Sequence, residues 1–302
     1  MKTATTTGDL YEYGKTPAEA VECLSKTGFK NLDFSFYTFH KGNSPYLLDS
    51  DKEWKQQIED ARAAADANNM RFVQAHAPGY NPAGNLDHAR CMRAMHRSIE
   101  ACAMLDIPCT VLHTAFMLEL RYPEDKDAYF KYNRKYLEEL LATAEKFNVT
   151  LCVENSSKIN SSNSYFFMTA DDMLDFIAYM DHPLLGCCWD TGHAVMEGKF
   201  DQYSDLTKLG KNLKAIHLHD NNGTADEHLP PYSGKLQLDT VVQALKDIQY
   251  QGAFTFEVDN FMAKCNGSGV LRQLPLELRI DTLQMLYKLG KHLLQSYDSF
   301  EE

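Results

Sequence analysis

Residues 185–193 read LGCCWDTGH, an apolar run that ends in a carboxylate and is followed by a turn carrying a histidine. Five further apolar runs end in a histidine or a carboxylate, and they read FVQAH (72–76), CTVLH (109–113), TLCVE (150–154), LKAIH (213–217) and AFTFE (253–257). The six closing residues lie about 27 to 41 positions apart, the length of one strand, one helix and two loops. The chemistry therefore repeats with the period of a βα unit.

Apolar runs rich in Val, Ile, Phe and Leu alternate with longer segments of helical periodicity, which is typical of parallel βα repeats. We predict strands near 3–7, 31–36, 71–76, 109–113, 149–154, 185–190, 213–218 and 253–258. We predict helices near 17–27, 51–69, 86–106, 125–147, 170–180, 199–211, 238–248 and 274–296. This strict alternation predicts the α/β class and a (β/α)8 TIM barrel. No linker-like tract divides residues 1–302, so we expect a single domain.

The bulk composition limits the partners of the protein. The chain has 302 residues, 44% of them hydrophobic, without an apolar run long enough for a membrane span or a signal peptide. We therefore expect a cytoplasmic protein that binds no membrane. The eight cysteines form no CxxC pair, so we expect buried free thiols. The net charge of −12 repels polyanions on average, so no nucleic-acid partner is expected.

In a parallel barrel, the side chains at the C-terminal ends of the strands meet at one rim, where active sites are found. The residues that close predicted strands three to eight are His76, His113, Glu154, Asp190, His217 and Glu257. Burial of three carboxylates near one another is costly unless a cation offsets their charge. Imidazole and carboxylate groups arriving from separate strands suit Zn²⁺ or Mn²⁺. The sequence therefore predicts a divalent metal site at this rim, with positions open for water or substrate.

Two adjoining segments contain further polar side chains of the same kind. In CWDTGHA, His193 follows the end of predicted strand six by three residues. In HLHDNNGTADEHLPP, His217 and His219 are two residues apart and so point to the same side of a strand. Periodicity alone does not separate these two as ligands. Asp226 and His228 form a D-x-H pair in the loop that follows.

Several short motifs occur in these strand contexts: HAP at 76–78, VEN at 153–155, WDTGH at 189–193, HLHD at 217–220, DEHLPP at 226–231 and FEVDN at 256–260. In this order they resemble the xylose isomerase-like TIM-barrel superfamily. That superfamily includes sugar and sugar-phosphate isomerases and epimerases, keto-inositol dehydratases and nucleases of the endonuclease IV type. The resemblance implies an enzyme with a metal centre.

In this superfamily, one divalent metal ion is held by the residues that match Glu154, Asp190, His217 and Glu257. The resemblance thus favours His217 over His219 as the ligand from strand seven. It leaves Mn²⁺ or Zn²⁺ as the favoured ion, with Mg²⁺ or Co²⁺ as alternatives. The candidates for substrate contacts or for a second metal are His76, His113, His193, His219, Asp226 and His228. In the nuclease branch, all of these except His219 match ligands of two further zinc ions.

The resemblance implies an isomerase or epimerase of a sugar, a sugar phosphate or a related polyol. In such an enzyme, Glu154 and Glu257 are the catalytic groups that exchange protons with the substrate through a metal-stabilised enediolate. One alternative is an endonuclease IV-like apurinic-site endonuclease with a multi-zinc site, although the predicted site loops contain one lysine and no arginine to follow a phosphate backbone. A keto-inositol dehydratase-like lyase and a barrel with a purely structural metal are further alternatives.

Some details distinguish this chain within the superfamily. Ketose 3-epimerases have a second glutamate six residues after the first metal glutamate and an arginine six residues after the metal histidine, where this chain has Asn160 and Gly223. By resemblance we expect a homo-oligomer, either a dimer or a tetramer. Lys158 and Lys264 are the cations available for a substrate phosphate. The residues that we expect to form an apolar wall are Phe36, Tyr80, Phe116 and Trp189.

Overall fold

The computed structural model describes residues 1–84, 86–162, 164, 167–258 and 274–301. Its strands are β1 (Thr3–Thr6), β2 (Asn31–Ser35), β3 (Arg71–His76), β4 (Cys109–Leu112), β5 (Thr150–Glu154), β6 (Leu185–Asp190), β7 (Leu213–His217) and β8 (Phe254–Phe256). Its helices are α1 (Gly8–Tyr11), α2 (Pro17–Leu24), α3 (Lys52–Ala67), α4 (His88–Met104), α5 (Lys126–Phe147), α6 (Lys158–Ser161), α7 (Ala170–Met180), α8 (Thr191–Met196), α9 (Tyr203–Leu209), α10 (Leu238–Asp247) and α11 (Leu276–Ser296). All eight predicted strands and all eight predicted helices are present.

The eight strands form one parallel sheet in the order β7-β6-β5-β4-β3-β2-β1-β8. The sheet closes between β8 and β7 through a parallel bridge from Leu218 to Phe256. The Leu218 N–H donates to the Thr255 carbonyl at 2.8 Å, and its own carbonyl accepts from the Glu257 N–H at 3.2 Å. The predicted (β/α)8 TIM barrel is therefore confirmed, with a short seam at β8.

Alternate residues of the strands face the inside of the barrel, as the two-residue period of a strand requires. A small cluster of buried apolar side chains fills this interior beneath the rim, and its members are Cys109, Val111, Cys152, Cys188 and Ala215. The side chains of opposite parity pack outward against the helices in a larger second core. This alternation places Cys152 beneath Glu154 and Cys188 beneath Asp190.

Helices α2 and α3 differ in the side-chain contacts at their N-termini. Thr16 and Glu19 form a complete capping box at the start of α2, with Pro17 at the first helical position. Asp51 directly precedes α3 but makes no capping hydrogen bond, because its carboxylate accepts from the Trp54 indole at 3.0 Å instead. The Asp51 side chain is therefore bonded to the Trp54 side chain, and the N-terminus of α3 has no side-chain cap from Asp51.

Three short helices were not predicted, and all of them follow strands at the rim. They are α1 after β1, α6 after β5 and α8 after β6. In α6, the N-cap Ser157 accepts from the Asn160 N–H. Patterns of helical periodicity need more residues than these four- to six-residue helices offer.

The cysteines and the hydropathy of the helices agree with the sequence analysis. Seven cysteines are buried and free, and Cys265 lies outside the described residues. Within the described ranges, the helices are all too short or too polar to cross a lipid bilayer.

Candidate metal centre

Glu154, the last residue of β5, is enclosed by three histidines and is 1% exposed. Its Oε1 lies 2.6 Å from His217 Nδ1, and its Oε2 lies 2.8 Å from His113 Nε2 and 3.7 Å from His76 Nε2. His76 Nδ1 donates to the Ala77 carbonyl at 2.7 Å, which directs the other ring nitrogen toward the carboxylate. Strand ends β3, β4, β5 and β7 therefore meet at this one glutamate.

Glu257 follows the last residue of β8 and approaches the same imidazole. Its Oε2 lies 3.3 Å from His217 Nδ1, and its side chain is 28% exposed. The two glutamates thus share one imidazole nitrogen, with Glu154 sealed and Glu257 open to the barrel mouth. We define the Glu154 group as His76, His113, Glu154, His217 and Glu257.

Asp190 ends β6 and caps α8 through the His193 N–H, which donates to its Oδ1 at 2.7 Å. The same oxygen lies 3.0 Å from His219 Nε2. Asn155 clamps the backbone of Asp190, accepting from its N–H at 2.6 Å and donating to its carbonyl at 2.9 Å. The backbone turn after β6 is therefore fixed, and the carboxylate faces His193 and His219.

Asp226, in the loop after β7, is surrounded by donors. Its Oδ2 accepts from His193 Nε2 at 3.2 Å and from Asn160 Nδ2 at 2.9 Å. His228 Nε2 lies 3.3 Å from Oδ1, and the His228 ring stacks on His219 with centroids 4.1 Å apart. We define the Asp226 group as Asp190, His193, His219, Asp226 and His228.

The predicted four metal ligands are divided between the two groups. Glu154 and Glu257 each contact His217 directly, whereas the Asp190 carboxylate forms its hydrogen bonds within the Asp226 group. The groups are adjacent, because Asp190 on β6 pairs with His217 on β7. His217 and His219 point the same way but sit at different heights on the rim. His217 therefore contacts the Glu154 carboxylate, whereas His219 contacts the Asp190 carboxylate.

Several sets of three side chains could hold a divalent ion, with one donor atom from each residue and all three atoms within 4.8 Å of one another. The Glu154 group offers the set His76, His113 and Glu154 and the set His76, His217 and Glu257. The Asp226 group offers the set Asp190, His193 and His219 and the set His219, Asp226 and His228. These mixed nitrogen and oxygen donors are of the kind that binds Zn²⁺ or Mn²⁺.

The ionisable side chains of the Glu154 group shift the pKa values of one another. Burial raises the pKa of the Glu154 carboxyl, but positive charge on His217 and hydrogen bonds from His113 and His217 outweigh it and hold that pKa well below its usual range. Burial lowers the pKa of His217, but Cys188, Glu257 and Glu154 raise it well above the usual value. In the metal-free protein, the two glutamates therefore favour the protonated form of His217, which balances part of their negative charge.

The Asp226 group has the same electrostatic character. Burial lowers the pKa of His193, but Asp190 and Asp226 raise it well above its usual value. Burial raises the pKa of Asp226, but hydrogen bonds from His193 and His228 outweigh it and hold that pKa far below its usual range. Two acidic side chains therefore favour the protonated form of a buried imidazole in the metal-free protein.

Gly192 leaves room for the buried ring of His219. A Cβ atom on Gly192 would lie 1.9 Å from His219 Cε1, so the DTGH turn leaves room for the ring only because residue 192 is glycine. Among the described residues, no hydrogen-bond partner reaches His219 Nδ1, which is buried. An unpartnered buried nitrogen is costly unless a ligand uses it.

The sequence analysis did not single out two buried residues beside the Glu154 group. Asp33 on β2 is 2% exposed, and burial raises its pKa against the lowering influence of His217 and His76. Cys188 on β6 can join Glu154 and His217 as a third donor. The two-residue period of the strands was the signal for both, since it places them on the inner face.

The aromatic residue at the mouth is Tyr37, which the sequence analysis also missed. Its ring is 42% exposed and lies edge-on to His76 at 5.2 Å and to His113 at 6.2 Å between centroids. Gly79 makes room for this ring, because a Cβ atom there would lie 2.4 Å from Tyr37 Cε2. Tyr37 therefore stands beside the histidines of the Glu154 group and is open to solvent.

Phe36 and Trp189, which we expected in an apolar wall, are wrong assignments. Both are completely buried and point away from the barrel mouth. Phe36 packs against Phe34 at 4.5 Å between ring centroids, and the Trp189 indole donates to Gln202 at 2.8 Å. Strand parity explains this, because each of them alternates with an inward-facing neighbour.

Active sites of parallel βα barrels lie at the C-terminal rim, and histidines and carboxylates gathered there are the kinds of side chain that bind a metal ion. The sequence matches the family profile described as "Xylose isomerase-like TIM barrel" over residues 21–273. The chain belongs to this family, as its motifs indicated.

Similar proteins include sugar epimerases. The chain is 26% identical to the protein MJ1311 of Methanocaldococcus jannaschii over 206 residues, which cover 67% of this chain and 69% of the relative. It is 31% identical to the D-psicose 3-epimerase of Enterocloster bolteae over 121 residues, which cover 40% of this chain and 37% of the relative.

Solved structures share the whole fold. A D-tagatose 3-epimerase-like protein superposes with a TM-score of 0.75 at 21% identity, covering 99% of this chain and 98% of the other. The IolI protein with a bound zinc atom superposes with a TM-score of 0.72 at 16% identity, covering 98% of this chain and 99% of the other. At these identities, the likeness shows the fold.

Proposed function

We propose that the protein is a divalent-metal-dependent isomerase or epimerase that acts on a sugar, a sugar phosphate or a related polyol. The observation that carries this proposal is the pair of glutamates at His217, where Glu154 and Glu257 lie 2.6 Å and 3.3 Å from the same Nδ1 atom. One carboxylate is sealed and the other is open to the mouth, so a substrate can reach a proton acceptor beside a charged, enclosed site.

The residues present fit a divalent ion. Glu154 and Asp190 are buried beside His217 and His193, whose pKa values the nearby acidic groups raise, and donor atoms of His76, His217 and Glu257 lie within 4.8 Å of one another. The residues that would hold the ion are Glu154, Asp190, His217 and Glu257, and Mn²⁺ or Zn²⁺ suits this donor set better than Mg²⁺ or Co²⁺. Such an ion, when bound, stabilises the negative charge that develops on the oxygens of the substrate.

The two glutamates exchange protons with the substrate in this proposal. Glu257, the more exposed one, takes or gives a proton at one carbon, and Glu154 does so from the enclosed side. His113, which is 36% exposed and bonded to Glu154, orients that carboxylate and contacts the substrate. Carboxylates held by histidines in this way keep their position while the proton moves.

The mouth of the barrel favours a small neutral or singly charged substrate. The Tyr37 ring offers an apolar face beside His76 and His113, as sugar rings require. Lys158 lies 3.6 Å from Glu197 Oε2 and is 57% exposed, while Lys264 lies outside the described residues. Asn160 donates to Asp226 where the 3-epimerases have a glutamate, which favours testing substrates beyond the ketoses of those enzymes.

A multi-metal nuclease is the second candidate, and the geometry of the Asp226 group favours it. His193 and His228 converge on Asp226, while His76 and His113 converge on Glu154, as the nuclease branch of the resemblance implies. The net charge of −12 argues against a polyanionic substrate. Metal content separates these candidates, because one ion supports the sugar enzyme and three ions support the nuclease.

The experiment that tests the proposal combines metal analysis with a substrate panel. Purified protein is analysed for metal, stripped, reloaded with Mn²⁺ or Zn²⁺ and incubated in D₂O with ketoses, aldoses, inosose-type ketones and their phosphates. We expect one ion in each chain and an interconverted sugar that carries solvent deuterium at the exchanged carbon. Loss of water from a substrate would indicate the lyase instead. Three ions with incision of DNA at abasic sites, and no turnover of any sugar, would contradict the proposal.

Replacement of Tyr37 by alanine is expected to raise KM about five- to tenfold on the substrate found in the panel, because one aromatic contact contributes about 1 kcal/mol. Tyr37→Phe keeps the ring and is expected to retain the wild-type KM. Tyr179→Ala is the matched control, since Tyr179 is 39% exposed but lies on the outer helix α7. An unchanged KM in Tyr37→Ala would remove Tyr37 from the substrate site.

We also propose a cytoplasmic location and a dimer or tetramer, with no nucleic-acid or membrane partner. The low count of cations in the site loops and the free, buried cysteines support this proposal. Size-exclusion chromatography with light scattering tests the oligomeric state.

A further inference from the structure

A buried ion pair lies outside both groups of the metal centre. Arg279 Nη2 on α11 lies 2.7 Å from Asp9 Oδ2 on α1, and the two side chains are 2% and 3% exposed. Removing two charges from water carries a desolvation penalty that their attraction does not always repay. Such a pair is therefore weak evidence for stability by itself and calls for another role.

The same guanidinium nitrogen makes a second contact, which leads to the metal centre. Arg279 Nη2 donates to the Val258 carbonyl at 3.0 Å. Val258 directly follows Glu257, so α11 is bonded to the chain where it leaves β8. Asp9, in the helix after β1, holds the guanidinium from the other side, and β1 is the strand that pairs with β8.

Glu257 depends on such backbone contacts more than the other predicted ligands do. Strand β8 has three residues and ends before Glu257, whose side chain is 28% exposed, against 1% for Glu154. The Glu257 N–H donates to the Leu218 carbonyl at 3.2 Å, and the Glu257 carbonyl accepts from His228 Nδ1 at 3.0 Å. The hydrogen bond from Arg279 holds the carbonyl of the next residue, Val258.

We propose that Arg279, held by Asp9, is a positioning residue that fixes the carbonyl of Val258, the residue after Glu257, and thereby sets the Glu257 carboxylate for metal binding. The inference rests on the proposed function, since it assigns Glu257 to the metal. The guanidinium donates one hydrogen bond to the backbone carbonyl, and the Asp9 carboxylate balances its charge. Groups that orient metal ligands in this way change metal affinity about 10- to 100-fold when they are removed.

The test is the double variant Asp9→Leu/Arg279→Met, which removes both charges of this pair together. Co²⁺ is titrated into the metal-free protein, and its visible absorption reports affinity and ligand geometry. We expect at least about tenfold weaker Co²⁺ binding and an altered spectrum. Arg97→Met is the matched control, because Arg97 is also buried and donates to the carbonyls of Tyr46 and Leu48, which belong to neither group of the metal centre. It is expected to bind Co²⁺ as the wild type does.

Hydrogen exchange of the Glu257 amide provides a second readout that needs neither metal nor turnover. We expect faster exchange at Glu257 in the double variant and unchanged exchange in Arg97→Met. If the wild-type protein binds no Co²⁺, the proposed function fails, whereas amide exchange still tests the role of Arg279. Wild-type exchange at Glu257 in a folded double variant, or wild-type Co²⁺ affinity and spectrum, would overturn the inference.

Discussion

Glu154→Gln is expected to lower kcat by at least about a thousandfold, because the substitution removes a metal ligand and a proton-transfer group at once. The amide is nearly isosteric, so the effect comes from charge and basicity and not from packing. Loss of the carboxylate also removes the partner of His217 and His113, whose contacts are 2.6 Å and 2.8 Å long. Breaking such a buried pair costs about 3 kcal/mol of the free energy of unfolding.

Glu257→Gln is expected to reduce kcat to a similar extent with a smaller loss of stability, since Glu257 is 28% exposed. Steady-state kinetics on the panel substrate and thermal unfolding of each variant provide the two measurements. Asp172→Asn is the matched control, because Asp172 is a buried carboxylate that accepts from Thr169 at 2.7 Å and belongs to neither group of the metal centre. Wild-type rates in either glutamine variant would refute the proposed roles.

Removal of the metal by a chelator is expected to abolish activity and to lower Tm by several degrees. An ion present at a thousandfold excess over its Kd adds about 4 kcal/mol to the free energy of unfolding. The loss is reversible, and Mn²⁺ or Zn²⁺ is expected to restore both Tm and activity. Retention of full activity after complete chelation would contradict the proposal of a metal-dependent reaction.

The difference in Tm between metal-loaded and metal-free protein is expected to grow as pH rises from 6 to 9. Acidic neighbours raise the folded-state pKa of His217 and His193 above the unfolded value of about 6.5. Their contribution to stability is therefore fully present below that value and is lost as pH rises through the raised pKa. The bound ion replaces the proton on His217, which is a proposed ligand, so the loaded protein escapes that part of the loss. Calorimetry at several pH values measures the difference, and a gap that narrows with pH would contradict the assignment.

Local patterns were sufficient to predict the fold. Strands β3 to β8 lie in apolar runs, and the spacing between these runs leaves room for one helix, so most of the alternation is visible in the sequence, whereas β1 (TATT) is short and polar. Amphipathic helices such as α4 and α5 follow from their own periodicity. The short helices α1, α6 and α8 were missed, because they depend on the neighbours that surround the rim and not on their own composition.

The site was predicted in part. The side chains that close the strands follow from the chemistry of their residue types, and the structure gathers them at one rim. Their division into a Glu154 group and an Asp226 group depends on heights around the barrel, which spacing along the chain does not encode. To predict that Tyr37 and Asp33 lie at the site, the positions of the neighbouring strands must be known. The two-residue period of β2 nevertheless indicated that Asp33 points into the barrel.

The sequence by itself determined the barrel, the rim on which the polar residues meet and the kinds of ligand available, because strand period and residue chemistry are local properties. The tertiary structure decided which carboxylate each histidine serves, why Phe36 and Trp189 turn away from the mouth, and how Arg279 reaches Asp9, 270 residues away in the chain. Such contacts join distant segments through the closure of the sheet, and loop entropy and packing across the seam, not local pattern, select them.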